Sequence, residues 1–276
     1  MLNYLKSSIK RKIARRITKE YPPVIDSFNM GQLGVVQFAN WSNPLTSPIQ
    51  LDANMVSFFR KFIKPGDFVI DIGANIGDTT VPIALCAGAE GLTLGFDPNP
   101  YVYKILSANA TLNKDKTNII AEQYAIANQE EEYFFISSEA SFANGGISPT
   151  KKSIHGKFVC PEKIKGVVLK DFLKNKYDQW LPKLSFIKID TEGYDKEIIK
   201  SITSLIDDYK PTIIAESFGD ANAEAKLELY DVIKRLNYKI FYFQDFHIDA
   251  PIQELINREE ILKFKDTINI YAVPII

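Results

Sequence analysis

The decapeptide Val69-Ile-Asp-Ile-Gly-Ala-Asn-Ile-Gly-Asp78 constrains this chain more than any other stretch, because an apolar strand runs directly into a glycine turn that opens a helix. Strand, tight turn and helix start, in that order, make the loop with which α/β proteins hold a nucleoside cofactor. The glycine spacing narrows the cofactor. A dinucleotide fingerprint requires Gly-x-Gly-x-x-Gly, whereas Gly73 is followed here by Asn75 and Asp78 in the other two slots. The pattern present is Asp71-x-Gly73-x-x-x-Gly77, and glycine at 73 and 77 lets backbone approach a ligand with no Cβ in the way. Asp97 closes a second apolar run, Leu92–Phe96, where a ribose-binding carboxylate belongs, and it can accept hydrogen bonds from a ribose diol.

With 276 residues, 46% of them hydrophobic and 24% charged, the chain has enough material for one large α/β domain with a full core. Apolar runs at 68–72, 92–96, 118–123, 185–189, 212–215, 239–243 and 268–273 read as seven strands, and helical stretches separate the first five. That alternation predicts a doubly wound, mostly parallel sheet. A helix is expected over 54–62, and Lys64-Pro-Gly-Asp67 is a turn that delivers the chain to the first strand. Residues 21–54, rich in Pro, Asn, Ser and Gly, read as irregular cap structure apart from a short apolar stretch at 35–38. The expected organisation is an N-terminal basic helix and cap over 1–60 and a catalytic domain over 61–276, with an insertion at about 130–168. Pro82 is tolerable if its helix begins near Asp78, since its missing N–H then lies within the first turn.

Taken in order, the strings VIDIGANIGDTT, FDPNP, YAIAN, IKIDTEGYDKEIIKSI and TIIAES resemble the FkbM family of S-adenosylmethionine-dependent methyltransferases. The resemblance spans roughly residues 60–245. Its most particular element is the Ile-Asp-x-Glu-Gly string beginning at Ile189, the first block being common to many class I methyltransferases. The resemblance implies a class I, Rossmann-like sheet whose last two strands form an antiparallel pair, with S-adenosylmethionine as cofactor and a hydroxyl of a sugar or other polyhydroxylated small molecule as acceptor. It also puts adenine beside Tyr124 and Ala125, read by backbone groups. Tyr124 itself serves equally well as a core aromatic.

Open α/β sheets bind ligands beyond the carboxyl ends of their strands, so Gly73 to Gly77, Asp97 and Asp190 to Gly193 should converge. Asn75 either bonds the methionine carboxylate or holds the turn, a position where Asn tolerates left-handed backbone. Asp71 either meets the cofactor ammonium through water or ties down the turn. Methyl transfer needs alignment, exclusion of water and removal of one proton. Asp190 or Glu192 is the expected general base, since closely spaced carboxylates raise one another's pKa; helix capping is the competing role. His247, beyond the sixth strand, is an alternative base, and His155 reads as a surface histidine. Lys188 is expected to pair with an acid inside the sheet. No resident metal is expected; a Mg2+ reading through Asp190, Glu192 and Glu216 is weaker, because no dense ligand string is present. The segment 141–148, with Gly145-Gly146, is either a substrate lid or a plain hairpin loop.

The net charge of −1 hides an asymmetry: residues 1–20 carry +6, leaving −7 elsewhere. Leu2, Leu5, Ile9, Ile13 and Ile17 recur at helical spacing among seven Lys and Arg, which suits peripheral contact with a membrane surface, or packing on the domain or a second subunit. A nucleic-acid partner is not expected, because the acidic body repels phosphates. The absence of a long apolar run and of a secretory signal points to the cytoplasm. Cys86 and Cys160 match no metal or redox spacing and read as buried small side chains. Two readings compete with methyl transfer: a nicotinamide-dependent oxidoreductase, which Asn75 and Asp78 disfavour, and a binding protein without turnover.

Overall fold

The structure is a computed structural model that describes residues 2–191 and 193–275, with side chains described from residue 6 onward. In chain order the elements are α1 (Leu2–Ala14), β1 (Pro23–Asn29), β2 (Val35–Trp41), α2 (Ala53–Phe59), β3 (Phe68–Ile72), α3 (Thr80–Ala87), β4 (Leu92–Phe96), α4 (Pro100–Thr111) and β5 (Ile119–Glu122). Then come β6 (Ala125–Ile126), β7 (Glu132–Ser137), β8 (Gly146–Ser148), β9 (Phe158–Val167), α5 (Leu169–Tyr177), β10 (Leu184–Ile189), α6 (Asp195–Ser201) and α7 (Thr203–Tyr209). The chain ends with β11 (Thr212–Ser217), α8 (Ala223–Arg235), β12 (Tyr238–Phe243), β13 (Ile252–Glu254) and β14 (Ile268–Pro274).

Every residue of β3 and β4 is buried, as expected of central strands covered on both faces. The main sheet runs β13-β12-β14-β11-β10-β3-β4-β5, with β5, β4, β3, β10 and β11 parallel to their neighbours in that series. β14 lies antiparallel between β11 and β12, with Tyr238 opposite Pro274. All seven expected strands are in this sheet. The eighth, β13, is three exposed residues on the β12 edge, too short to show a period.

Alternation along β3 divides the core. Phe68, Ile70 and Ile72 face one cluster with α5, α6, α7 and α8, whereas Val69 faces the other with α2, α3 and β2. A register shift between Leu184 and Phe186 in β10 lets both point to opposite clusters although they are two residues apart. Pro82 falls in the first turn of α3. Cys86 and Cys160 are free and buried.

The segment expected to be irregular contains a β-hairpin, β1 against β2, with Pro23 opposite Trp41. Its stabilising contacts are long-range: Val36, Phe38, Ala39 and Trp41 of β2 are buried in the apolar core, and polar bonds add to them. Asn109 of α4 accepts from the Ala39 N–H at 2.7 Å and donates to the Ala39 and Ile76 carbonyls. Asn40 donates to Asp26 at 2.7 Å. No local propensity rule registers such bonds, and the largely exposed β1 lacks the alternation of a half-buried strand.

The 132–167 region and β6 (Ala125–Ile126) build a separate four-stranded sheet, β6-β9-β7-β8, in which only the β6–β9 pairing is parallel. Ile9 and Ile13 of α1 and Ile17 just beyond it are 56%, 42% and 58% exposed, while Ala14 is buried. Among the described residues, no helix is long and apolar enough to cross a membrane.

Candidate active site

Four strand ends are stitched together at the carboxyl edge of the main sheet. The Phe96 carbonyl accepts from both the Gly73 and Ala74 N–H groups, the Asp190 N–H donates to Ile72, and the Asp97 N–H donates to Glu122. Gly73 has φ +76°, and a Cβ there would stand 1.8 Å from the Asp190 carbonyl oxygen. Only glycine allows the first turn to cross the end of β10 this closely. Gly77 is spent differently: it abuts Leu106 and Asn109 of α4 and is not on the cavity wall.

Above this edge opens a cavity of about 540 Å3, within the range of small-molecule sites. Its wall includes Gly73, Asn75, Asp97, Tyr124, Ala125 and Asp190 among the residues singled out from sequence. Asp97 accepts the Asn75 N–H at 3.0 Å on one oxygen and the Asn99 N–H at 2.8 Å on the other, each oxygen keeping a further lone pair. Burial pushes Asp97 up to about 7 despite those donors, with Asp71 and Asp78 adding to the rise. Asn75 has φ +47°, so it does hold a left-handed turn. Tyr124 lines the cavity and also packs on Phe172, ring centroids 5.1 Å apart, combining both expected roles.

Asp71 lies behind the wall, not on it. Its carboxylate is consumed by the Thr79 and Thr80 hydroxyls at 2.9 and 2.7 Å and by the Lys188 ammonium at 3.3 Å. Of the two roles expected of Asp71, these contacts are those of the second: the carboxylate ties down the turn, through the Thr79 and Thr80 hydroxyls, and does not line the cavity where the cofactor is expected. Asp78, half-buried in the same motif, is on the cavity wall together with Asp97 and Asp190, and its own backbone N–H donates to its carboxylate. Burial pushes it up to about 6, with Lys188 opposing. Asp78 sits in the same motif as Asp71; treating it only as a departure from a glycine fingerprint hid it.

Lys188 is 2% exposed and bridges Asp71 to Asp190, 3.1 Å away. Burial disfavours its ammonium, but Asp71, Asp190 and Asp78 outweigh that and raise its pKa. The acids here are therefore arranged around a cation. Asp190 keeps 41% of its side chain exposed toward the cavity mouth. Asp195 clips the loop: it accepts the Thr191 N–H and hydroxyl at 2.9 and 2.6 Å and the Glu216 N–H at 2.8 Å. Burial pushes it up to about 6.

Glu192 lies outside the described residues. Among those described, no three His, Cys, Asp or Glu side chains group to hold a metal ion.

The two histidines exchange places relative to expectation. His247 is absent from the cavity wall; it sits in the loop after β12, where its Nδ1 accepts the Asp249 N–H at 3.2 Å and Phe246 anchors the loop on Phe58 and Phe59. His155 is on the cavity wall, its ring packed over Gly146. The fold of the insertion brings it there, which no local signal announces. Ala143 to Ile147 line the same side, and Phe142 anchors them: its carbonyl accepts from Asn99 at 2.7 Å and its ring stacks on Tyr101 at 5.0 Å.

A doubly wound sheet with one antiparallel strand next to its edge pair, carrying a glycine turn and an acid after its second parallel strand, defines a class I, Rossmann-like methyltransferase fold. The Methyltransferase FkbM domain profile matches residues 71–240, and the chain belongs to that family of methyltransferases. The methyltransferase sdnD of Sordaria araneosa is 23% identical over 182 residues, covering 58% of this chain and 70% of that protein. Among solved structures, methyltransferase FkbM of Methylobacillus flagellatus is 12% identical, covering 79% of this chain and 50% of the other at a TM-score of 0.45. An O-methyltransferase of Thermotoga maritima is 9% identical, covering 94% of each chain at a TM-score of 0.44.

Proposed function

We propose that the chain is an S-adenosylmethionine-dependent O-methyltransferase that modifies a hydroxyl of a sugar or other polyhydroxylated small molecule. The observation that carries this reading is the convergence of Asp97, the Gly73–Asn75 turn and the Tyr124–Ala125 backbone on one cavity that also holds Asp190. The donor set fits the cofactor. Asp97 has lone pairs left for a ribose diol, the backbone at 124–125 would face the adenine edge, and Asp78 on the cavity wall would oppose an ammonium.

When bound, the cofactor supplies an electrophilic methyl group on a sulfonium. The chain's own contribution is positioning, exclusion of water by the 141–149 segment, and acceptance of the acceptor hydroxyl's proton at an Asp190 carboxylate oxygen. Lys188 holds that carboxylate in place. Peripheral contact with an anionic membrane surface through residues 1–20 is part of the proposal, supported by the exposed Ile9, Ile13 and Ile17 among cationic side chains.

Calorimetric titration with S-adenosylhomocysteine tests the cofactor. Saturable binding that is lost in Asp97→Ala is expected, and no binding by the unmodified protein would sink the assignment. For the acceptor, methyl transfer to polyols should outrun transfer to amines and thiols of matched size. Ile9→Ser, Ile13→Ser and Ile17→Ser together should reduce sedimentation with phosphatidylglycerol vesicles; unchanged sedimentation removes the membrane contact.

A further inference from the structure

A second recess, of about 360 Å3, lies beside the main cavity and is lined by Arg11, Arg15, Ser47, Glu139 and Asn144, with the 44–46 turn completing it. Asn144 is on the wall of both. The two hollows therefore meet at Asn144, within the 143–147 stretch on the wall of the main cavity.

The chemistry of the recess is cationic. Arg11 lies in the last turn of α1 and Arg15 directly follows the helix, its N–H still donating to the Arg11 carbonyl at 3.1 Å, so both side chains sit one turn apart on the wall of the recess. Among the described residues neither guanidinium has a carboxylate partner within ion-pair distance. Glu139 supplies one negative charge, and its carboxylate accepts the Ser138 hydroxyl at 2.9 Å. The Thr46 hydroxyl donates to the Asn43 carbonyl at 3.0 Å, which leaves Ser47 and Asn144 as the neutral donors. The helix is fixed there: Ala14 is buried and the Ala140 N–H donates to the Arg15 carbonyl at 3.2 Å. Guanidinium forks, hydroxyls and amide N–H groups are the donor types that recognise a phosphate. This is also the cationic segment of a chain whose remainder carries −7, so an anionic molecule is steered toward it.

We infer that the recess binds the phosphate of a phosphate-bearing acceptor, such as a sugar phosphate ester or phosphodiester, whose reacting hydroxyl reaches into the main cavity past Asn144. The inference rests on the methyl-transfer reading for the role of the bound molecule, and on the recess alone for phosphate binding.

The test is calorimetry of the full chain with glucose 1-phosphate, and separately with glucose, for the unmodified protein, the Arg11→Gln/Arg15→Gln double variant and Glu139→Gln. Glucose 1-phosphate should bind and glucose should not. The double variant should weaken binding at least about tenfold, and Glu139→Gln should tighten it severalfold by removing a like charge. Equal affinity in all three proteins overturns the site. So does the case in which the double variant loses sedimentation with phosphatidylglycerol vesicles but keeps its glucose 1-phosphate affinity, since the arginines then serve a lipid headgroup. S-adenosylhomocysteine titrated into the same samples separates the two readings: its binding should be equal in all three, and its absence throughout defeats the methyl-transfer reading while leaving the phosphate result to stand on its own.

Discussion

The floor and the roof of the cavity are built by opposite means. In the floor, Gly73 crosses the end of β10, Asp97 collects two backbone N–H groups, and Lys188 is locked between Asp71 and Asp190. In the roof, the base is pinned by Phe142 on Tyr101 and by Gly145, where a Cβ would come within 2.4 Å of the Ile136 carbonyl oxygen, but the tip stands free, with Ile154 99% exposed. A floor whose backbone and buried charges are locked in place suits a ligand that never changes. A roof with uncommitted side chains on a glycine hinge suits the partner that sets specificity.

Gly73→Ala should have the largest effect. The added methyl meets backbone, which cannot rotate away, and φ +76° adds left-handed strain. A loss of about 4 kcal/mol is expected from overpacking and strain together, with S-adenosylhomocysteine binding abolished; thermal unfolding and calorimetry read both. A variant that melts and binds normally would mean the floor is as pliable as the roof.

Lys188→Met follows. It strands the fully buried Asp71 carboxylate, which keeps only its two threonine donors, and should cost about 3 kcal/mol in urea unfolding. The half-exposed Asp190 relaxes into water at little cost, so most of the loss belongs to Asp71. Pairing Lys188→Met with Asp71→Asn should recover much of it; additivity would show that the two do not act together.

These floor elements were legible because strand-turn-helix grammar is local. The buried runs at β3 and β4, the glycine at 73 and the acid at 97 are read from spacing alone. The hairpin β1–β2 was not, since its bonds to Asn109 span 70 residues. Nor was the exchange of His247 for His155, because which loop tip folds over a cavity depends on the register of β7 with β9, and that register itself shifts between Phe134 and Ile136. Asp78 stood in plain view, but spacing does not say which of two acids in one motif turns inward.

A pH titration sharpens the contrast from the floor side. In the folded protein Asp97 is pushed up to about 7, above the usual aspartate value near 4. Between those values the folded state holds a proton that the unfolded chain has released, so Asp97 makes the ligand-free protein less stable as pH rises from about 4 to about 7, with no further change above. Asp78 and Asp195, each pushed up to about 6, act with the same sign over a narrower range. A ribose diol needs the carboxylate as acceptor, so S-adenosylhomocysteine affinity should climb up to about tenfold per pH unit below 7 and level off above it. A flat profile, or one unchanged by Asp97→Asn, would remove Asp97 from the ribose.

The smallest effect on stability should come from the roof. His155 is half-buried, packs over Gly146, and its imidazole makes no hydrogen bond with another described residue. His155→Ala should therefore change stability by no more than about 0.5 kcal/mol, as for a surface position away from caps and ion pairs. Its effect should appear in turnover: S-adenosylhomocysteine affinity unchanged, acceptor kcat/KM lowered about tenfold, and a rise in KM larger than the fall in kcat if the ring only positions the acceptor. A fall in kcat alone, with KM steady, would move His155 from positioning to proton transfer and displace Asp190 from that role. A melting loss comparable to that of Lys188→Met would instead make the roof a structural element like the floor, and the division of labour between them would not hold.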